Sequence, residues 1–251
     1  MALLRLNRPD ASNALNQELL EALDNAVQAL QRDRSVRAVL LSGQGKNFCG
    51  GGDVREFAAQ GETLPDHLRH LTALLGRVAA GLVNLHAPVI ALVQGAATGG
   101  GGLGLVCASD IVLAGPKARF MLGATRVGMA PDAGLSVTLS RLVGLRRALW
   151  LALVNPMLEA QEALELGLVS EVVEDDERLW ARGLELARGL AAGPALAQAE
   201  TKRLLWRGLI QPIPDALRDE AQTVSELSGS GDAREGLAAV IERREPRFSP
   251  E

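Results

Sequence analysis

PVIALVQGAATGGGGLGLVCASD, residues 88–110, is the stretch from which the rest of this chain is read. Pro88 opens a run of β-formers, Val89 to Val93, that reads as a fully buried strand. Gly95 breaks the run. Gly99, Gly100, Gly101, Gly102 and Gly104 follow, and small and apolar residues then continue at helical spacing. Glycine lets a ligand come close to the backbone, and the N–H groups at a helix N-terminus point at whatever binds there. An anion, or an oxygen that becomes anionic, is therefore expected at this turn. The same glycines also suit a helix packed tightly on a sheet, and the stretch alone leaves both readings open.

Upstream, residues 36–42 (VRAVLLS) form a second buried strand that runs into a second glycine loop, GQGKNFCGGGDVREF, residues 43–57. Residues 3–6 read as a short strand ending in the turn Asn7-Arg8-Pro9-Asp10. Ser12 or Asn13 then caps a helix with Leu15, Leu19, Leu20, Leu23, Val27 and Leu30 on its apolar face. A further helix covers 65–85 and ends before Pro88. Downstream, strands are expected at 111–114, 120–121 and 169–173, and helices at 135–143, 146–153, 158–166 and 179–192, with a loop over 126–134. From Pro194 an almost wholly helical tail runs to about Arg244, interrupted near residues 212–214 and 229–231. The expected organisation is an α/β core over 1–193 and a C-terminal helical region over 194–251.

Composition excludes several classes of function. Hydrophobic residues make up 47% of the 251, enough for one sizeable core. Aromatics are 3% and there is no Tyr, so no stacking platform for single strands is expected. A net charge of −4 without a basic block argues against nucleic acid as a partner. No apolar run approaches the ~20 residues that a membrane span needs. The opening MALLRLNRPD lacks the apolar region of a signal peptide, so the cytoplasm is the expected location. Cys49 and Cys107 are too few and too isolated for a disulfide framework or a metal site.

A dinucleotide fingerprint needs an acidic residue at the end of the next strand, about 20 residues on. Here Asp110 precedes that strand and Ala124 stands near the required offset. A phosphate-binding P-loop fails as well, because Gly45-Lys46 lacks the required frame. With both loops considered together, the chain resembles the crotonase (enoyl-CoA hydratase/isomerase) superfamily. Six pieces stand in the family's order: LNRPDASNAL (6–15), NFCGGGDVREF (47–57), PVIALVQGAATGGGGLGLVCASDIVLA (88–114), VGMAPDAGLSVTLSRLVG (127–144), EAQEALELGLVSEVV (159–173) and ERREPRF (242–248). The resemblance implies a spiral of ββα units with a C-terminal helical region that packs in homotrimers, often paired into hexamers. It implies an acyl-CoA thioester substrate, no cofactor beyond the CoA moiety, and an enolate oxygen held by the N–H groups of Gly52 and Gly100. Such donors match the anion-binding expectation drawn from the glycines themselves. CoA contacts carry over to Ala14, to the loop Gly50, Asp53, Val54 and Arg55, and to Arg243 in the tail. Relatives carry a strand before residues 3–6, so the first hairpin is expected to be incomplete, and Gly102 extends the usual glycine run.

The family's hydratases use two glutamates, whose positions here hold Leu103 and Ala124. Neither can transfer a proton. A carboxylate does stand further on, Asp132 in APDAG, where it resembles the catalytic aspartate of family isomerases, including the epoxyphenylacetyl-CoA isomerase type. One base can lift a proton from the carbon beside a thioester and return it elsewhere, and an apolar wall of Leu103, Met121, Ala124, Val127 and Met129 would raise its pKa for that task. The bland reading makes Asp132 the N-cap of a helix from Ala133. In the dehalogenase branch a histidine and a tryptophan assist the aspartate, but Gly76 and Ala124 stand at those places, and His67, His70 and His86 read as surface or packing residues. An isomerase using Asp132 is therefore the leading reading. A hydratase with an atypical acid/base set and a silent acyl-CoA binder are the alternatives.

Overall fold

The computed structural model describes residues 1–248; the last three residues of the expected tail, 249–251, lie outside the described residues. Five strands form a wholly parallel sheet in the order β1 (Ala2–Leu6), β2 (Val39–Gly43), β3 (Val89–Val93), β5 (Ile111–Ala114) and β8 (Glu171–Val172). Leu4 pairs with Leu41, Leu41 with Ala91, and Ala91 with Val112, so the apolar runs lie side by side in register. Both faces of β2, β3 and β5 are covered, which is why these central strands read as continuous apolar runs without alternation, whereas the edge strand β1 alternates exposed and buried residues. Val39, Leu41, Val89 and Ala91 face the large core under α1 (Gln17–Arg32), α3 (Leu64–Val83) and α4 (Gly99–Cys107). Leu40, Ile90, Leu92 and Leu113 face a smaller core closed by Leu179 and Ala187 of α8 (Asp176–Ala192). The chain has the mixed α/β architecture of the crotonase fold.

A smaller sheet stands beyond the C-terminal ends of the large one. It contains β4 (Ala96–Thr98), parallel to β6 (Arg119–Met121), which pairs antiparallel with β7 (Leu158–Glu159). The chain thus leaves β3, crosses into β4 and enters α4, and it repeats the step from β5 through β6. The segment expected to be one helix over 158–166 is divided between β7 and α7 (Ala160–Glu165), because Leu158 and Glu159 pair with Phe120 and Arg119. The Glu162 carboxylate then accepts the Glu159 N–H at 2.7 Å and fixes the start of α7.

The expected cap of α1 is also corrected. Asn16, not Ser12 or Asn13, accepts the Leu19 N–H at 3.0 Å. Ser12 and Asn13 adopt left-handed φ values of 53° and 54° in the preceding turn. There the fully buried Asn13 accepts the Arg8 N–H and donates to the Gln44 and Asn47 carbonyls, tying the first turn to the loop after β2. An asparagine tolerates this conformation because its short amide replaces backbone partners.

The tail forms α9 (Ala195–Gly208), α10 (Ile213–Ser228) and α11 (Gly231–Glu242). Its attachment to the core is polar. Lys202 is buried, pairs with Asp110 at 2.7 Å and donates to the Leu82 carbonyl at 2.8 Å, while Trp206 Nε1 donates to the other Asp110 oxygen at 3.0 Å. Burial pulls the Lys202 pKa below its ordinary value, and the Asp110 charge opposes that pull. Much of the tail's apolar surface, including Leu205, Ile210, Ile213, Val224, Val240 and Ile241, remains exposed, as do Leu145, Leu149, Trp150 and Leu153 on α6 (Leu145–Val154). No helix among the described residues is long and apolar enough to cross a membrane.

Candidate active site

The two glycine loops meet although 48 residues separate them. Cys49 N–H donates to the Ala96 carbonyl and Thr98 N–H to the Cys49 carbonyl, each at 2.9 Å, which lays the first loop along β4. The first turn holds the same loop from its other side, through Gly50 N–H to the Ser12 carbonyl at 2.8 Å and Leu15 N–H to the Gly51 carbonyl at 2.7 Å. Contact this close needs glycine. Gly51 has φ +96°, and a Cβ on it would lie 2.9 Å from the Thr98 carbonyl oxygen; Gly99 has φ +66°, and its Cβ would lie 3.1 Å from Gly51 Cα.

This arrangement leaves two backbone donors free. Among the described residues, the N–H groups of Gly52 and Gly100 donate to no protein acceptor. For Gly100 the cause is its place in the first turn of α4, where N–H groups have no partner within the helix. Side chains crowd both positions. A Cβ on Gly52 would lie 2.5 Å from the Phe57 ring, and a Cβ on Gly100 would overlap Asp132 Oδ1. Both glycines open onto one cleft of about 420 Å³, whose walls come from Leu15 and Leu20, from Leu68, Leu71 and Leu75 on α3, and from Met121, Val127 and Met129.

Asp132 is the one acid that lines this cleft among the described residues. It is half-buried and has no ion pair or side-chain hydrogen bond there, and burial raises its pKa above the ordinary 3.8. The structure does not use it as a helix cap. The next helix, α5 (Leu135–Val143), starts later with Gly134 at its N-cap, and Asp132 meets it only through its carbonyl, which accepts the Leu135 N–H at 2.9 Å. Between them Ala133 takes a left-handed φ of 50°, a conformation that costs a non-glycine residue roughly 1–3 kcal/mol. Its methyl group packs where a Cβ on Gly104 of α4 would stand. This strained turn aims the Asp132 carboxylate at Gly100.

Gly50, Gly52, Val54, Gly100 and Asp132 therefore share the cleft, with Met121, Ala124, Val127 and Met129. Leu103 does not. It is 2% exposed and faces the large core, because only the first turn of α4 reaches the cleft. Ala14 stays behind the loop, where its carbonyl accepts from Arg8 at 2.6 Å. Asp53 is the N-cap of α2 (Val54–Ala59), accepting the Arg55 and Glu56 N–H groups, and it pairs with Arg8 at 3.1 Å. Burial opposes its ionisation, but these donors and the Arg8 charge outweigh it and hold the carboxyl below its ordinary range. Arg55 and Arg243 are exposed and make no ion pair among the described residues. The reading from sequence missed Phe57 and the α3 wall. Only a helix over 65–85 was expected; Leu68, Leu71 and Leu75 share one face of it at helical spacing, and that spacing carries no sign that the face borders a cleft. The histidines stand outside the cleft: His67 bonds Glu56 at 2.9 Å and His86 bonds the Val36 carbonyl at 2.9 Å.

Comparison with known proteins gives these features a family. The description Enoyl-CoA hydratase/isomerase matches residues 1–251. This chain belongs to the enoyl-CoA hydratase/isomerase family. It is 40% identical to a probable enoyl-CoA hydratase of Rhodobacter capsulatus, over 99% of this chain and 94% of the relative. It is 34% identical to the 1,2-epoxyphenylacetyl-CoA isomerase of Escherichia coli, over 98% of this chain and 94% of the relative. Among solved structures it resembles an enoyl-CoA hydratase/isomerase of Mycobacterium abscessus with a TM-score of 0.93 at 35% identity, covering 98% of this chain and 95% of that one. The family therefore includes hydratases and isomerases close to this chain, and the residues in the cleft must separate them.

Proposed function

We propose that this family member is an acyl-CoA isomerase, shifting a double bond or rearranging an epoxide of the epoxyphenylacetyl-CoA type, with Asp132 as acid and base. The observation that carries this reading is Asp132 as the one acid of the cleft among the described residues, set against Gly100, with Ala124 inert beside it. The thioester oxygen accepts the Gly52 and Gly100 N–H groups. The Asp132 carboxylate takes a proton from carbon beside the thioester, and the electron pair moves into the enolate that those donors stabilise. The same carboxyl returns the proton at another carbon, so mass is conserved. A donor to an oxyanion contributes about 3–4 kcal/mol to such a barrier, and a raised carboxyl pKa suits a group that must both take and give a proton. No cofactor beyond the CoA moiety is needed.

The CoA would run along Gly50, Val54 and Arg55 behind the Asp53 cap, close to Ala14, with Arg55 and Arg243 free to meet phosphates. Self-association as a homotrimer or a pair of trimers would cover the apolar surfaces of the tail and α6, and sedimentation velocity measures it directly. Hydration is the second reading, supported by the relative named a probable hydratase at 40% identity. Screening 3-enoyl-, 2-enoyl- and epoxyphenylacetyl-CoA in H2(18)O, with wild type beside Asp132→Asn, separates the two. Isomerisation predicts a product of unchanged mass that disappears in the variant. A product heavier by one labelled water, retained in the variant, would refute the isomerase. Thioester binding without turnover would identify a silent binder.

A further inference from the structure

Thr98 stands immediately before α4, at the place where a threonine ordinarily turns its hydroxyl to accept an N–H of the first turn. Here it makes no such bond. Its Oγ1 instead donates to the Gly50 carbonyl at 2.9 Å. We propose that Thr98 is a positioning residue for the oxyanion site: its hydroxyl clasps the loop that carries Gly52 to the helix that carries Gly100, and so engaged it leaves that helix uncapped for a substrate oxygen. The proposal rests on the reading that Gly52 and Gly100 hold the thioester oxygen.

The loop needs such a clasp. Gly50, Gly51 and Gly52 are three consecutive residues with the freest of backbones, and their peptide planes turn unless outside partners hold them. Gly50 N–H is held by the Ser12 carbonyl and the Gly51 carbonyl by the Leu15 N–H. The Gly50 carbonyl receives its hydrogen bond from Thr98. With all three occupied, the Gly52 N–H is aimed and free. A small rotation of the Gly50–Gly51 peptide would move that donor relative to Gly100, and misplacement by about 1 Å can cost ~100-fold in rate. The fold does not depend on the hydroxyl, because Thr98 N–H to the Cys49 carbonyl and Cys49 N–H to the Ala96 carbonyl still hold the strands together.

The test uses Thr98→Val, which keeps the shape and removes the donor, and Thr98→Ser, which restores it. Calorimetric affinities are compared for octanoyl-CoA and for S-octyl-CoA, a thioether with no carbonyl oxygen. Wild type should prefer the thioester by about tenfold or more, Thr98→Val should bring the two within ~3-fold while the thioether affinity stays unchanged, and Thr98→Ser should recover the preference. On a turned-over substrate, Thr98→Val should lower kcat by about 10–100-fold with KM within ~3-fold. A wild type that does not prefer the thioester would overturn the oxyanion site itself. A wild-type preference that survives in Thr98→Val would overturn the role of Thr98 alone. Loss of thioether affinity or of thermal stability in both variants would show that the side chain only supports the fold.

Discussion

Gly100→Ala places one methyl group where the Asp132 carboxylate now stands. The added Cβ overlaps Oδ1 and lies 2.5 Å from Cγ and 3.0 Å from Oδ2. Non-bonded carbon atoms settle near 3.5–4.0 Å, so the carboxylate must retreat by ~1–2 Å. A retreat of ~1 Å can cost a factor of ~100, and full loss of acid/base participation costs ~100–10,000-fold. A fall in kcat of about 100-fold or more is therefore expected. The fold should tolerate the change, because Gly100 lies within α4 without a left-handed φ and alanine is the better helix former there by about 1 kcal/mol. The Gly100 N–H also survives. Kinetics are read by mass-resolved product formation and stability by calorimetry, for Gly100→Ala, Asp132→Asn and the double variant. Since both changes act on one carboxylate, the double variant should be no slower than Asp132→Asn. A Gly100→Ala enzyme with wild-type kcat would refute the role given to Asp132, and additive losses would show that the methyl acts elsewhere.

Asp132 also links stability to pH. Its folded pKa is raised, so the folded state holds that proton more tightly than the unfolded chain, and stability is lost as pH rises from about 3.8 through the folded value. Asp132→Asn should therefore raise Tm at neutral pH and leave it little changed below that window, while the wild-type kcat/KM should rise with pH as the carboxyl ionises. Asp53→Ala removes the α2 cap and the Arg8 partner; a loss of about 0.5–2 kcal/mol in urea unfolding is expected, with a weaker affinity for CoA thioesters as the 50–55 loop loosens. Lys202→Met leaves the half-buried Asp110 carboxylate without its cation, though still held by the Val89 N–H and Trp206 Nε1, and should cost about 1.5–3 kcal/mol by the same assay.

The legible parts of this protein were those carried by neighbouring residues. The central strands at 89–93 and 111–114 were readable because both faces of a parallel sheet are buried and the apolar run is unbroken. The glycine loops were readable because only glycine permits close backbone approach. Boundaries failed where a distant partner decided them. Residues 158–159 form a strand only because Phe120 and Arg119 offer an edge, and the α1 cap moved to Asn16 because Asn13 is occupied by the loop at residues 44–47.

Sequence alone determined that this chain builds an α/β core and that two glycine loops follow buried strands, and the family resemblance it carries pointed to Asp132, with Leu103 and Ala124 inert at the hydratase glutamate positions. The core and the loops follow from local rules of periodicity and backbone freedom; the choice of Asp132 followed from the resemblance together with side-chain chemistry. Only the tertiary structure decided that the loops at 50–52 and 99–101 lie back to back, that Asp132 abuts Gly100 and caps no helix, that Leu103 turns into the core, and that Thr98 bonds across to Gly50. Each of these is a contact between residues far apart in the chain, chosen by which packing buries the most apolar surface while leaving the fewest polar groups unpaired. That choice belongs to the whole assembly of elements, and no single stretch carries it.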